Sequence, residues 1–153
     1  MPAVTHFDET NERHEFRAKH LNEGTHFTNL KEFPVHFRPG RGSSSAHFSV
    51  SGNKTIDAHI SEIGPGGHNN MHRHINEAII YILSGRGYTL LQKDENTEPV
   101  RVDWEEGDVL SPPLNWWHQH HNLDPIKPAR YLAITNALLM TEMGVFKKEQ
   151  RTK

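Results

Sequence analysis

Two short histidine-rich segments hold the residues of this sequence whose types and spacing favour metal chemistry. His72 and His74 form one H-x-H pair, and His118 and His120 form a second pair further along the chain. Side chains at positions i and i+2 of an extended strand project from the same face, so each pair presents two imidazoles together. The chain has no cysteine, so a transition-metal site here would need imidazole and carboxylate ligands, which suit Zn, Cu, Fe and Ni. If a β-barrel brings the two segments together, three or four imidazoles converge.

The spacing around the first pair resembles the first motif of the cupins, a superfamily of small jelly-roll β-barrels. That motif has a glycine, five residues, His-x-His, three or four residues, a glutamate, six residues and a glycine. The corresponding positions here, with alanine in place of the glutamate, are Gly66, His72, His74, Ala78 and Gly85.

The spacing around the second pair resembles the second cupin motif. The corresponding positions are Gly107, Pro113, Asn115, His118 and Asn122. Asn115 stands where glycine is usual, and asparagine tolerates the left-handed backbone of such a turn. Together the two motifs imply an all-β, cupin-type jelly-roll barrel with metal ligands at His72, His74 and His118.

In detail, the patterns HRHxxxAxxYxLxG and GDxxxxPxxWWHxHxN are similar to those of gentisate 1,2-dioxygenase and its salicylate and hydroxynaphthoate relatives. Those ring-cleaving enzymes hold iron with three histidines and no glutamate. The resemblance implies one divalent transition metal, Fe(II) first and Zn, Mn or Ni as alternatives, with a small-molecule acid and O₂ as substrates. Those enzymes are longer two-barrel chains with an arginine where this sequence has Ile80, so the particular substrate stays open.

Other residues near the ligands are candidates for contact with a substrate. His120 is expected to act as an acid/base or orienting group, and Trp116, on the same face in an extended chain, to stack on a flat ring. Ile80 and Ile82 are expected to make the cavity apolar. Since Ile80 replaces the usual arginine, Arg86 is expected to bind the acid group of the substrate, with Arg73 as an alternative.

Glu77 is a possible fourth ligand, one residue short of the glutamate position. A one-residue shift turns a strand side chain to the opposite face, so Glu77 points away if the strand has begun, and Ala78 faces the metal. A bend at residues 75 and 76 would reverse this expectation.

The elements that must position these residues are predicted from composition and spacing. Runs of strand-forming residues from Lys54 to Asn136, separated by turn residues, are typical of an all-β barrel. The polar segment before residue 22 is expected to form an N-terminal helix or extended arm, and Ser43 to Ser45 a flexible turn. We therefore divide the chain into an arm (1–50), a barrel (51–144) and a polar tail (145–153). The seven histidines up to His59 are expected to be exposed or hydrogen-bonded.

Composition limits the partners. Lys and Arg number 17 against 19 Asp and Glu, a net charge of −2, which gives no basic excess for nucleic acid. The longest apolar run, Ala78 to Leu83, is too short to span a membrane, and no secretion signal is apparent, so the cytoplasm is expected. That run is apolar on both faces, so the arm or a second subunit should cover its outer face, and we expect a homodimer.

Three functions remain open. The first is a metal-dependent dioxygenase acting on a small aromatic or hydroxylated acid. The second is a non-oxidative metal enzyme, such as an isomerase, lyase or hydrolase, and the third is a ligand-binding cupin without turnover. Because imidazole suits several metals, the sequence does not separate the first two.

Overall fold

The protein is described by a computed structural model that covers residues 6–151. In this range the chain is mostly β-structure, which confirms the expected all-β class. The strands are β1 (His6–Asp8), β2 (Leu21–Gly24), β3 (His36–Arg38), β4 (Ser43–Val50), β5 (Asp57–Ile63), β6 (His72–His74), β7 (Ala78–Ser84), β8 (Arg86–Gln92), β9 (Val100–Glu105), β10 (Val109–Leu110), β11 (Trp117–Asn122), β12 (Ala129–Thr135) and β13 (Lys148–Arg151). The helices are α1 (Thr10–Lys19) and α2 (Ala137–Glu142).

The strands form two sheets that face each other. The first has the order β1-β13-β6-β11-β8-β9, and the second has the order β10-β7-β12-β5-β4-β2, with β3 also paired to β4. The first sheet therefore takes strands from both ends of the described chain, since β1 and β13 extend it beyond β6. Strands β2, β3 and β4, all from the N-terminal third of the chain, extend the second sheet beyond β5. No helix among residues 6–151 is long and apolar enough to cross a membrane.

Apolar side chains form two separate clusters, one between the sheets and one outside the second sheet. The inner cluster joins the sheets through Ile63, Ile80, Ile82, Trp104, Ala129, Tyr131 and Ala133. The outer cluster consists of Ala46, Phe48, Ile60 and Leu83, against which Phe27, Leu30, Phe33 and Val35 pack. The segment of residues 27–35 thus covers part of the outer face of the second sheet.

The expected flexible turn at Ser43 to Ser45 is wrong, because these residues begin β4. This strand places Ala46 and Phe48 in the outer cluster, whereas Ser45 and His47 are buried on its opposite face. Residues 45–50 alternate polar and apolar side chains, which is the pattern of a strand, but the serine run at its start has the composition of a turn.

The outer face of β7 is only partly covered by this chain. Leu83 is buried in the outer cluster, but Ile79 and Tyr81 remain 58% and 42% exposed. Val109 pairs with Tyr81, and Ile134 pairs with Ile79, and both of these neighbours are also exposed. The four side chains form one apolar patch, called the β7 patch below.

Candidate metal centre

Three of the predicted histidines converge between the two sheets. Strand β11 pairs with β6 so that His118 lies directly opposite His72, and His74 follows two residues along the same strand. One ring nitrogen from each imidazole lies within 4.8 Å of the other two. The period-two geometry of β6 and the register of a single strand pair are therefore sufficient to assemble the cluster.

The Nδ1 atom of each of these imidazoles is held by a backbone carbonyl oxygen. A carbonyl only accepts hydrogen bonds, so Nδ1 carries the proton and the lone pair lies on Nε2. The acceptors for His72, His74 and His118 are the carbonyl oxygens of Asn70, Asn76 and Trp116, at 2.9, 2.8 and 2.9 Å. These bonds orient three Nε2 atoms toward a common point, as metal ligation requires.

Burial keeps the three imidazoles neutral. Desolvation lowers the pKa of His118 to about 3, and it holds the pKa of His72 and of His74 well below the usual value. A metal binds the neutral imidazole, so proton competition is weak near neutral pH. Three buried, neutral, oriented imidazoles fit a divalent transition metal.

Ala78 lines the cavity, whereas Glu77 is exposed and turned away from it. The Glu77 Oε2 atom accepts a hydrogen bond from Asn136 Nδ2 at 3.1 Å. Within the described chain the ligand group consists of the three histidines, and Glu77 does not join it.

His120 lies beside the ligands rather than among them. Its ring centroid is 6.4 Å from that of His72, and its ring contacts Tyr131 at 4.9 Å. The Nδ1 atom is 2.8 Å from Thr89 Oγ1, which accepts a hydrogen bond from Trp104 Nε1 at 3.0 Å. The threonine hydroxyl can give its single proton to Nδ1, and that arrangement leaves Nε2–H of His120 as a donor.

The other residues expected to contact a substrate are only partly gathered at this cavity. Ile80 lines it, but Ile82 packs in the inner cluster and is not among the described lining residues. Trp116 is half-buried just before β11, and its carbonyl oxygen rather than its ring serves the site by holding His118.

The two arginines singled out from the sequence lie outside the cavity. Arg86 lines a separate surface hollow with Trp104 and Leu123. Arg73 forms an ion pair with Glu149 and lies over the ring of Trp117 on the far side of β6. Neither guanidinium is placed to meet a group bound at the three histidines.

The arginines and the lysine of the cavity wall, called the cationic wall below, come from the segments predicted as arm and tail. Basic and imidazole side chains not singled out from the sequence line the cavity: Arg13, Arg38, Arg41, His47, His59 and Lys148. The available signal was the alternation of Ser43, Ser45 and His47, which is typical of a strand with one polar face.

His47 corrects the expectation that the early histidines are exposed or hydrogen-bonded. It is 1% exposed, and neither of its ring nitrogens has a hydrogen-bond partner among residues 6–151. His59 lies opposite it across the β4–β5 pair, with the rings stacked at 5.1 Å. Burial lowers the pKa of His59 to about 3 and that of His47 well below its usual value, so both are neutral.

Most cations of the wall have a carboxylate partner. The pairs are Arg13 with Asp57 at 3.2 Å, Arg38 with Glu12 at 2.8 Å and Lys148 with Glu9 at 3.3 Å. Arg41 is 7% exposed and forms no ion pair within residues 6–151. Its Nη2 atom contacts His72 Nε2 at 2.6 Å, and its Nη1 atom is buried and has no hydrogen-bond partner in the described part of the chain. The wall therefore places a buried guanidinium with no carboxylate partner in the described chain directly beside the ligands.

The free volume between the ligands and this wall is about 40 Å³. That volume accommodates about three water molecules, or one group of similar size. A larger molecule requires side chains of the wall to move.

The cupin domain family matches residues 59–135, a range that covers half of the chain and includes all three histidines. The chain belongs to the cupin family. The two facing sheets are the jelly-roll barrel of this family, and the match runs from β5 to the end of β12.

Among curated proteins, the chain is similar to 1-hydroxy-2-naphthoate 1,2-dioxygenase from Nocardioides sp. (strain KP7). The two are 32% identical over 76 residues, which cover 47% of this chain and 18% of that enzyme. This cupin thus spans less than a fifth of the length of that relative.

Two solved structures show the same fold at low sequence identity. A salicylate 1,2-dioxygenase variant from Pseudoaminobacter salicylatoxidans, in complex with gentisate, has a TM-score of 0.61 and 11% identity, over 78% of this chain and 31% of that one. An oxalate decarboxylase from Lactobacillus farciminis, in a formate complex, has a TM-score of 0.58 and 21% identity, over 71% and 32%.

Proposed function

We propose that this cupin is a metal-dependent enzyme, a non-haem Fe(II) dioxygenase that acts on a small aromatic or hydroxylated acid. The observation that carries the proposal is the cavity itself, in which three neutral, oriented histidines face a wall that contains the guanidinium of Arg41, which has no ion pair among the described residues. Three neutral ligands leave a divalent metal its full charge and open positions, which suits an anionic chelating substrate together with O₂. The sequence similarity to a hydroxynaphthoate dioxygenase supports this class of reaction.

The residues of the chain itself supply binding and orientation. The cationic wall, rather than Arg86, is proposed to attract the acid group, because it is buried where the field of a charge is least screened. Ala78 and Ile80 form the apolar side of the cavity, against which a carbon skeleton can pack. His120, positioned by Thr89, is proposed to donate a hydrogen bond from Nε2 to the substrate.

The size of the cavity favours a second candidate function. With room for about three waters, it suits an acid of two or three carbon atoms better than an aromatic ring. A non-oxidative reaction of such an acid, with Zn, Mn or Ni at the same histidines, is the alternative that this observation supports.

We also propose that two copies of the chain associate through the β7 patch. Its four apolar side chains are 42–64% exposed and adjacent on paired strands. A second copy would remove this apolar surface from water, which is the usual driving force of homodimer formation.

Oxygen uptake tests the proposed reaction. Protein freed of metal and loaded with Fe(II) without air is mixed with hydroxylated aromatic acids, and then with small aliphatic acids, in an oxygen-electrode cell. The proposal expects O₂ consumption equal to the acid consumed, with loss of aromatic absorbance, and no consumption by the His118→Ala variant. If the protein as isolated holds Zn or Ni, and Fe(II) gives no uptake with any acid, the dioxygenase proposal is refuted.

A further inference from the structure

Arg41 and a metal require the same lone pair. The Nε2 atom of His72 is the ligand atom of this imidazole, because its Nδ1–H donates a hydrogen bond to the carbonyl oxygen of Asn70. In the structure that lone pair accepts a hydrogen bond from Arg41 Nη2 at 2.6 Å. One lone pair cannot serve both partners, so metal binding must displace the guanidinium from His72.

Displacement leaves Arg41 with the neutral Tyr131 side chain as a hydrogen-bond partner and with no carboxylate partner among the described residues. Within the described residues Nη1 is buried without a hydrogen-bond partner, and Nη2 loses its contact with His72. Glu9 acts on Arg41 through its charge, but its carboxylate is paired with Lys148 at 3.3 Å. An arginine that is 7% exposed and has no carboxylate partner in the described chain is a strong site for an anion, and its planar fork matches a carboxylate.

We propose that Arg41 is a metal-linked carboxylate-binding residue: the metal releases it from His72, and it then binds the carboxylate of a small acid held at the metal. This inference rests on the proposed metal site and deepens it by assigning the acid-binding residue. Metal binding and carboxylate binding should therefore strengthen each other, because both stabilise the arrangement in which Arg41 is released from His72. The free volume of about 40 Å³ suits a group of the size of formate.

The test measures Zn²⁺ affinity of the metal-free protein by competition with a chromophoric chelator, in formate and in chloride at equal ionic strength. Zn²⁺ needs no O₂ chemistry, so the measurement is independent of catalysis. Formate is expected to tighten Zn²⁺ binding at least fivefold in the unsubstituted protein, within the usual range of such couplings.

The informative variant is Arg41→Met, which removes both the competitor for His72 and the anion-binding group. Replacing a buried unpaired charge with an apolar side chain of similar length is compatible with folding. It is expected to bind Zn²⁺ at least tenfold more tightly than the unsubstituted protein in chloride, with a formate effect below twofold. Arg73→Met is the matched control, because Arg73 lies between two ligands in sequence but pairs with Glu149 outside the cavity. The Arg73→Met protein should have the same Zn²⁺ affinity in chloride and the same formate effect as the unsubstituted protein.

The absence of a formate effect in the unsubstituted protein overturns the inference, whatever the variants do. An equal formate effect in the Arg41→Met protein also overturns it, because formate would then act on the metal alone. If the coupling is found while the Fe(II) protein consumes no O₂ with any acid, the dioxygenase proposal fails and the role of Arg41 stands.

Discussion

Replacing His118 with alanine is the most direct perturbation of the metal centre. The substitution removes one of three converging Nε2 atoms, and the described residues contain no further member of the ligand group. Glu77 is turned outward to Asn136, and His120 lies outside the group of ligand atoms. The variant should therefore keep only two ligands.

The size of the effect follows from the ligand count. Loss of a group that merely orients a ligand costs about 10–100-fold in metal affinity, so loss of a ligand should cost at least about 100-fold. With metal at about 100 times the dissociation constant of the unsubstituted protein, binding stabilises that protein by ~2.7 kcal/mol and the variant by ~0.4 kcal/mol. For a chain of this size, the difference of ~2.3 kcal/mol corresponds to a Tm shift of roughly 5–9 °C.

The assay combines metal analysis with thermal unfolding, with and without added Zn²⁺. His68→Ala is the control, because His68 lies near the ligands in sequence but packs its ring on His121, 4.9 Å away, outside the ligand group. The control should keep the metal content and the Zn²⁺-dependent Tm increase. A His118→Ala protein that does the same would refute the assignment of this residue as a ligand.

Three further predictions concern stability and assembly. Because burial lowers the pKa of His59 to about 3, the unfolded chain takes up that proton first, so metal-free protein should lose stability as pH falls from about 6.5 toward 3. Urea unfolding should show that His59→Gln reduces this acid-induced loss of unfolding free energy by on the order of 2 kcal/mol at pH 4.5. An equal loss in the variant and in the unsubstituted protein would contradict the prediction. A Cβ at Gly87 would overlap a carbonyl oxygen of β11, so Gly87→Ala should lower stability by about 3 kcal/mol in thermal unfolding. Gly64→Ala, with open space around it, should be nearly neutral, and equal losses would disprove the steric argument. Light scattering should show that the unsubstituted protein is a dimer. Ile79→Asp should dissociate this dimer, whereas Ile126→Asp, at an exposed residue outside the β7 patch, should leave it intact. A monomeric unsubstituted protein would exclude the proposed interface.

The ligand cluster was predictable because it depends on local geometry. Alternation along a strand places His72 and His74 together, and the same alternation puts Ala78 inside and Glu77 outside. The asparagine expected in a left-handed turn is found there, since Asn115 has a φ of 60° and its N–H donates to the carbonyl oxygen of His74. Strand alternation and turn preferences, which depend only on neighbouring residues, were therefore enough to predict the positions of the turn and of the three ligands.

The cationic wall was not predictable in this way because its parts are distant in sequence. Charges on α1 have the spacing of a solvated helix, yet Arg13 is buried against Asp57 of β5. Lys148 belongs to a polar tail by composition, but β13 pairs with β6 and buries it. Only the tertiary arrangement decides that these charges face inward, and single-sequence patterns carry little information about it.

The free-energy cost of burying the charged side chains of the cationic wall indicates that they serve function rather than stability. Buried ion pairs rarely stabilise a fold more than apolar side chains of similar volume would, because desolvation offsets their attraction. Arg41 is less favourable still, since it is a buried guanidinium with no carboxylate partner in the described chain. Residues that break the local rules of folding concentrate at functional sites, where a ligand supplies the missing interaction. The same reasoning explains why Arg41 rests on the lone pair of His72: without a metal or an anion, that imidazole is the available acceptor that its Nη2 atom meets.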